Sequence, residues 1–149
     1  ENASLLGCYA VMLGFSEAPP LNWQAALVHN ADISWVSMNS SKPGRDAPCS
    51  FVIHSTNAFA EAHMDDAIED IKAQLLTEIE TVTGIAVSSA DHCDIHRWRY
   101  ANIGPQTGPA AWLDTDQQLG ACGDWCIRGR VEAAFSSAIA LSEELRAAL

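Results

Sequence analysis

The sequence predicts an α+β fold in which an antiparallel sheet is covered by one amphipathic helix. Four apolar runs follow one another within residues 5–55 with only loops between them, which favours antiparallel pairing because parallel strands require long crossover connections. An apolar stripe with helical spacing then occupies about residues 66–82. We expect residues 1–96 to form this helix-covered sheet. Residues 97–149 are expected to form a separate segment that ends in a strand, a turn and a helix over about 130–148.

Each strand is assigned from an apolar run bounded by turn residues. The first run, residues 5–13, is continuously apolar and is therefore predicted to be central in the sheet. The remaining strands are predicted at 25–29, 33–38, 50–55 and 93–100, and a hairpin is predicted around Asp114–Asp116.

The two helices are assigned from apolar residues three and four apart. In the first, Asp66 and Glu69 predict a capping box at the start, and Gly84 predicts the end. The buried stripe of this helix is predicted to contain Ile68, Ile71, Leu75, Ile79 and Val82. The buried stripe of the final helix is predicted to contain Val131, Phe135, Ala138, Ser142 and Leu145.

Composition excludes several classes of partner. The chain has 149 residues, 48% of them apolar, which is enough for one respectable core. Its net charge of −11 and eight basic residues argue against binding to nucleic acid or to an anionic membrane surface. No run approaches the roughly 20 apolar residues of a membrane span. Five cysteines without paired spacing predict free thiols in a reducing cytoplasm.

The most informative stretch is residues 119–132, a short apolar strand, a Gly-Asp turn and a glycine-bearing loop that leads into a helix. Backbone N–H groups at a helix start are unpaired and carry the positive end of the helix dipole, so they suit an anionic or electron-rich ligand edge. The carboxylate of Asp124 could accept hydrogen bonds from ligand hydroxyls. Spacing alone favours a plain turn between a strand and a helix.

The strand over 93–100 carries a second group of candidates. Side chains alternate along a strand, so His92, Asp94 and His96 share one side. They could bind zinc or iron only with ligands from other elements, because neighbours on one strand are about 6–7 Å apart, and no metal is predicted. Trp98 and Tyr100 share that side, either as core or as the wall of a cofactor pocket. The side chains that point the opposite way, Arg97 and Arg99, suit either an anionic substrate or a salt bridge.

Three segments of the chain, in this order, resemble FAD-dependent amine-oxidase-type flavoproteins, and most of all their renalase-like bacterial branch. The closing motif of that family is similar to residues 123–126 (Gly-Asp-Trp-Cys) with 129–135 (Gly-Arg-Val-Glu-Ala-Ala-Phe). Residues 96–101 resemble the strand that precedes the motif, and residues 39–45 resemble a further segment. The resemblance covers essentially the whole chain, and it implies that residues 1–96 are a lobe of the substrate domain and residues 97–149 a segment that returns to the FAD-binding domain. It implies FAD as cofactor, hydride transfer from substrate to flavin with reoxidation by dioxygen, and either amines or dihydronicotinamides as substrates.

The resemblance also implies roles for individual residues. Asp124 would contact the ribityl or pyrophosphate part of FAD, and the N–H of Val131 would face the pyrimidine edge of the ring. The motif often carries Glu where Asp124 stands and Gly where Ala134 stands. Asp124 keeps the carboxylate of the motif, and Ala134 keeps a small side chain. The implied cofactor contacts are Gly123, Asp124, Trp125, Gly129, Arg130, Val131 and Trp98, and the implied substrate contacts are His96, Arg97, Arg99, Lys42 and Arg45.

One family motif is missing. The nine glycines contain no G-x-G-x-x-G, which in the family holds the ADP half of FAD. We therefore expect the chain to be the C-terminal portion of a longer flavoprotein, unable to hold FAD without a Rossmann half supplied by another segment. Self-association through an exposed sheet or the C-terminal helix is also expected. The alternatives are a non-catalytic α+β binding or dimerisation module and a small metal-dependent enzyme, whereas no G-x-S-x-G supports a hydrolase.

Overall fold

The computed structural model describes residues 4–45 and 48–148. Short 3₁₀ turns stand at Asn39–Ser41, Val87–Ser89 and Asp124–Cys126. The strands and helices are β1 (Leu5–Phe15), β2 (Ala25–Leu27), β3 (Ile33–Met38), β4 (Cys49–Ser55), α1 (Asn57–Ala62), α2 (Ile68–Thr83), β5 (His92–Ile103), β6 (Trp112–Asp114), β7 (Leu119–Ala121) and α3 (Val131–Ala148).

The described residues divide into two compact units. One, here called the sheet unit, is Gly7–Arg99, and the other, the hairpin unit, contains the described residues of 1–6 and 100–149. The strands β1 to β5 form an antiparallel sheet in the order β2-β3-β4-β1-β5, so the predicted α+β class and antiparallel sheet are confirmed. β1 has a neighbour on each side, as its continuous apolar sequence predicts.

The core of the sheet unit lies between one face of the sheet and the helices α1 and α2. Tyr9, Val11 and Leu13 point from β1 into this core, and Ile71, Leu75 and Ile79 meet them from α2. Burial of an aliphatic side chain of this size stabilises the fold by about 1.5–3 kcal/mol. The opposite side of the sheet, here called the distal face, carries the alternate residues of the same strands.

The start of α2 differs from the prediction. The helix begins at Ile68 after Ala67, which makes no side-chain capping bond, so the capping box of Asp66 and Glu69 is absent. The carboxylate of Asp66 instead lies 2.7 Å from Nδ1 of His63, because the extra helix α1 brings His63 beside it. The predicted end is confirmed, since Gly84 adopts a left-handed conformation with φ 72°.

The predicted stripe of α2 is confirmed for Ile71, Leu75 and Ile79, which are buried. Ile68 packs against the core as a partly buried residue. Val82 is 42% exposed, and its place in the stripe was wrong because it lies in the last turn, two residues before Gly84.

The hairpin unit contains the predicted hairpin. β6 and β7 pair in antiparallel register, with Leu113 opposite Gly120, and α3 follows. The buried residues of α3 are Ala133 and Ser137, not the predicted stripe, of which Val131 is 87% exposed and Phe135 69% exposed. The residues Ala138, Ser142 and Leu145 of that stripe are exposed as well.

The reason for this difference is close packing on the opposite side of α3. A Cβ added to Gly120 would lie 3.0 Å from Leu141 Cδ1, and the hydroxyl of Ser137 bonds to the backbone of Gly123 and Ala110. The small residues Ala133 and Ser137 are the ones buried on this side, and the larger residues at 131 and 135 face outward.

Two further properties concern the chain as a whole. Among the described residues, no helix is long and apolar enough to cross a membrane. All five cysteines of the sequence lie within the described residues, and each is a free thiol.

Candidate functional site

The residues predicted to bind cofactor or substrate fall in both units. Lys42, Arg45 and residues 96–99 belong to the sheet unit, whereas residues 123–131 belong to the hairpin unit. Each group is built by its own strands and turns, and each is described separately.

In the hairpin unit, the backbone of Gly123 packs closely against the indole of Trp125. The N–H of Gly123 donates to Oγ of Ser137 at 3.0 Å. These two contacts hold the turn between β7 and α3.

The carboxylate of Asp124 lies at the loop that leads into α3. Its Oδ1 accepts the N–H of Trp125 at 3.0 Å. Its Oδ2 is 3.9 Å from the position that a Cβ on Gly129 would occupy, and it bonds to no other described residue. One carboxylate oxygen is therefore available to a ligand beside the loop.

The first turn of α3 presents unused hydrogen-bond donors. Arg130 carbonyl accepts the N–H groups of Ala133 and Ala134 at 3.0 and 3.3 Å. Within the part of the chain that the structure describes, the N–H groups of Val131 and Glu132 have no acceptor. These donors, the carboxylate of Asp124 and the exposed side chain of Arg130 form the polar surface of the motif.

In the sheet unit, β5 alternates as predicted. Cys93 and Ile95 pack against the core, so the distal face receives His92, Asp94, His96 and Trp98. The rings of His96 and Trp98 are in contact, with centroids 4.2 Å apart, and Trp98 is 54% exposed. The pair offers an accessible aromatic surface of the kind that a flat ligand can cover.

Arg97 and Arg99 point the other way and contact the connection between α1 and α2. The guanidinium of Arg97 lies 5.5 Å from the centroid of the Tyr9 ring and donates to the carbonyl of Asp66. Arg99 forms an ion pair with Asp65 at 2.8 Å, and its hydrogen bond and charge hold the pKa of that carboxyl below its usual range. These contacts are structural, and the role of Arg97 and Arg99 in substrate binding stays a prediction.

The basic turn after β3 shows one side chain in a defined contact. Nζ of Lys42 donates to Oδ1 of Asn39 at 2.9 Å, and Arg45 is exposed. The charge of Lys42 also reaches His54 on β4: burial lowers the pKa of His54, and Lys42 lowers it further. The positive charge on this turn therefore acts on a side chain of the distal face.

His54 is the residue that the sequence analysis missed. It is half-buried on the distal face, opposite Trp35 of β3 on one side and Ala10 of β1 on the other. The alternation of β4 could have identified it, because Phe51 and Ile53 face the core and His54 must then face away.

The described residues contain no group of three or more His, Cys, Asp or Glu side chains arranged to hold a metal ion. His92, Asp94 and His96 do not form such a group among these residues. No model of a known protein family matches the chain.

Proposed function

We propose that this chain is part of an FAD-dependent oxidoreductase of the amine-oxidase or renalase-like type, in which residues 119–131 contact the flavin. The observation that carries the proposal is the combination of unused hydrogen-bond donors and an unused acceptor at the start of α3. Two backbone donors without acceptors, on Val131 and Glu132, accompany a carboxylate oxygen of Asp124 that is also unused. Because residues 123–135 resemble a flavoprotein closing motif, we propose FAD as the ligand of these groups.

The residues present fit such a cofactor. Bound FAD would accept a hydride from an amine or dihydronicotinamide and pass two electrons to dioxygen, yielding hydrogen peroxide. The N–H groups of Val131 and Glu132, at the positive end of the helix dipole, would stabilise negative charge on the pyrimidine edge of the ring. Asp124 would accept hydrogen bonds from ribityl hydroxyls, and Gly123 with Trp125 would hold the turn in position.

The substrate side is proposed on the sheet unit. Trp98 and His96, whose rings are in contact, would offer an aromatic surface to a flat ligand. Lys42 and Arg45 stand on the basic turn between β3 and β4, where a phosphate-bearing substrate would find positive charge. Arg97 donates to the carbonyl of Asp66 and Arg99 donates to the carboxylate of Asp65. The two guanidinium groups would bind a substrate only after these hydrogen bonds break.

The ADP half of FAD requires a partner segment. Because the nine glycines contain no G-x-G-x-x-G, we propose that a Rossmann-type half from another segment completes the site, and that this chain alone does not retain FAD. A reducing cytoplasm is proposed as the compartment, since all five thiols are unpaired.

The first test is the visible flavin absorption of the complete gene product and of this chain, each dialysed after incubation with FAD. We expect flavin bands in the complete product only. In that product Asp124→Asn should weaken FAD binding by about tenfold, because a charged acceptor is replaced by a neutral one. Asp116→Asn, at an exposed hairpin position, is the matched control and should bind FAD normally. Absence of flavin bands from the complete product would refute the assignment.

A non-catalytic binding or dimerisation module is the second candidate, favoured by one observation. Val131, Phe135 and Ile139 are 87%, 69% and 43% exposed and follow one another four residues apart, so they form an apolar row on α3. An apolar groove of about 420 Å³ beside the contact of α3 with the hairpin is lined by residues that include Leu119, Leu141 and Leu145. If neither the complete gene product nor this chain binds FAD, and if this chain sediments as a dimer, the binding or dimerisation module is favoured.

A further inference from the structure

The helix α3 exposes a regular row of residues on the side that does not pack on the hairpin. The members of this row, here called the α3 seam, are Val131, Phe135, Ala138, Ser142 and Leu145, and all are exposed. An exposed large hydrophobic side chain needs no explanation when it stands alone, but a row of them indicates an interaction surface.

The spacing of the α3 seam is that of a helix–helix interface. Its residues recur at intervals of four, three, four and three along the chain, which is the heptad spacing of two helices packed side by side. Ile139 lies next to the seam and is 43% exposed. The seam therefore fits a second helix as its partner.

The side-chain sizes along the seam fit a second copy of α3 that runs in the opposite direction. In an antiparallel pair the numbers of two residues in contact have a constant sum, so Phe135 beside Leu145 of the second copy places Ala138 beside Ser142 of the second copy. Two-fold symmetry repeats both contacts. The large side chains then meet at the ends of the interface, and the small ones at its middle let the two helices approach closely.

The charges beside the seam select the antiparallel direction. Glu132, Ile139 and Arg146 are seven residues apart and share one flank of the helix. In an antiparallel pair, Glu132 of each copy faces Arg146 of the other, whereas like charges would meet in a parallel pair. Neither Glu132 nor Arg146 forms an ion pair or a hydrogen bond through its side chain with another residue that the structure describes. The two charges are therefore complementary across a symmetric interface.

We propose that α3 is the interface of a symmetric antiparallel dimer, in which the α3 seams of two copies pack on each other and Glu132 pairs with Arg146 at both ends. The inference names the partner that the second candidate function leaves open, and it does not rest on the flavin contact. N–H groups at a helix start point along the helix axis, so pairing along the side of α3 leaves those of Val131 and Glu132 accessible.

The test is sedimentation of the 149-residue chain at low ionic strength, which preserves the contribution of the charges. A single pair of helices is a small interface, so we expect a dissociation constant on the order of 10–100 µM. Across about 5–500 µM of chain, the sedimentation coefficient should then change from mainly monomer to mainly dimer.

Two variants with one apolar side chain removed test the seam. Phe135 and Leu119 are nearly equally exposed, at 69% and 67%, but only Phe135 belongs to the seam. Phe135→Ser should weaken dimerisation at least about tenfold, and Leu119→Ser is the matched control, which should leave it nearly unchanged. Because Leu119 lines the groove beside α3, equal effects of the two variants would place the association at the groove and overturn the proposal.

Reversed charges test the direction of the pairing. Glu132→Arg and Arg146→Glu each create like-charge pairs in an antiparallel dimer and should each weaken it at least about threefold. The double variant restores opposite charges and should dimerise as the unaltered chain does. A parallel dimer would show no such loss and recovery, because like charges would meet in every variant. Both residues are exposed, and circular dichroism verifies that each variant keeps its helices.

A chain that stays monomeric across the whole range, or a double variant that dimerises no better than the single ones, would overturn the proposal. So would a complete gene product that stays monomeric where this chain dimerises, since another segment of that product would then cover the seam. These outcomes differ from failure of the proposed function. If the complete product binds FAD while both forms stay monomeric, the flavoprotein assignment remains and only the dimer is removed.

Discussion

Ser137 connects two turns of the hairpin unit through one hydroxyl group. Its side chain is fully buried, accepts the N–H of Gly123 at 3.0 Å and donates to the carbonyl of Ala110. Both backbone groups would lose a partner if the hydroxyl were removed, and an unsatisfied buried group is costly. The position of the Gly-Asp turn, and with it the proposed flavin contact, therefore depends on this serine.

We expect Ser137→Ala to lower the free energy of unfolding by about 1–3 kcal/mol. The neighbouring Ser136→Ala is the matched control, since Ser136 is exposed, and should change it by less than about 0.5 kcal/mol. Urea unfolding followed by tryptophan fluorescence measures both. Equal midpoints for the two variants would show that the hydroxyl bonds contribute nothing net.

At the scale of the element, the two long helices differ in what decides their buried face. The apolar residues of α2 recur with helical spacing, and Ile71, Leu75 and Ile79 are buried as that spacing predicts. In α3 the spacing is equally clear but the buried residues are Ala133 and Ser137. Close approach to the hairpin outweighs hydrophobicity there, because a larger side chain would not fit.

The end of α2 supplies a second prediction. Gly84 has φ 72°, and no atom lies within 4 Å of a Cβ added to it, so any cost of substitution comes from the backbone conformation alone. Gly84→Ala should destabilise the chain by about 1 kcal/mol. Gly84→Asn should cost less, because asparagine tolerates the left-handed region better. Thermal unfolding measures the order, and an alanine variant as stable as the unaltered chain would contradict it.

At the scale of the whole molecule, carboxylates dominate the charge. The net charge is −11 with 19 acidic residues, and hydrogen bonding by Ser16 lowers the pKa of Asp91. A carboxyl whose pKa is lowered on folding stabilises the fold above its unfolded pKa of about 3.9. That stabilisation is lost as the pH falls through the lower, folded pKa.

We therefore expect Asp91→Asn to reduce the thermal midpoint at pH about 7 and to leave it nearly equal to that of the unaltered chain at pH about 2. Asp116→Asn, whose side chain forms no bond with another described residue, should show no such convergence. Scanning calorimetry across this range tests the sign. If the thermal midpoint of the variant lies below that of the unaltered chain by the same amount at every pH, the charge of Asp91 does not contribute to stability.

The sequence by itself determined the strands, the facing of β5, the stripe of α2 and the Gly-Asp motif. These features follow from local alternation, helical periodicity and turn chemistry, which neighbouring residues carry. The capping of α2 was not predictable in the same way, because His63, directly after the unpredicted helix α1, bonds the carboxylate of Asp66.

Only the tertiary structure decided which side of α3 is buried and which residues meet across the sheet. His54 gains its place between Trp35 and Ala10 from strand register, and the charge of Lys42, on the turn after β3, lowers its pKa from another element. Contacts of this kind join residues far apart in the chain, so no local pattern encodes them. The exposure of Val131 and Phe135 has the same origin, since it depends on the close approach of Leu141 to Gly120.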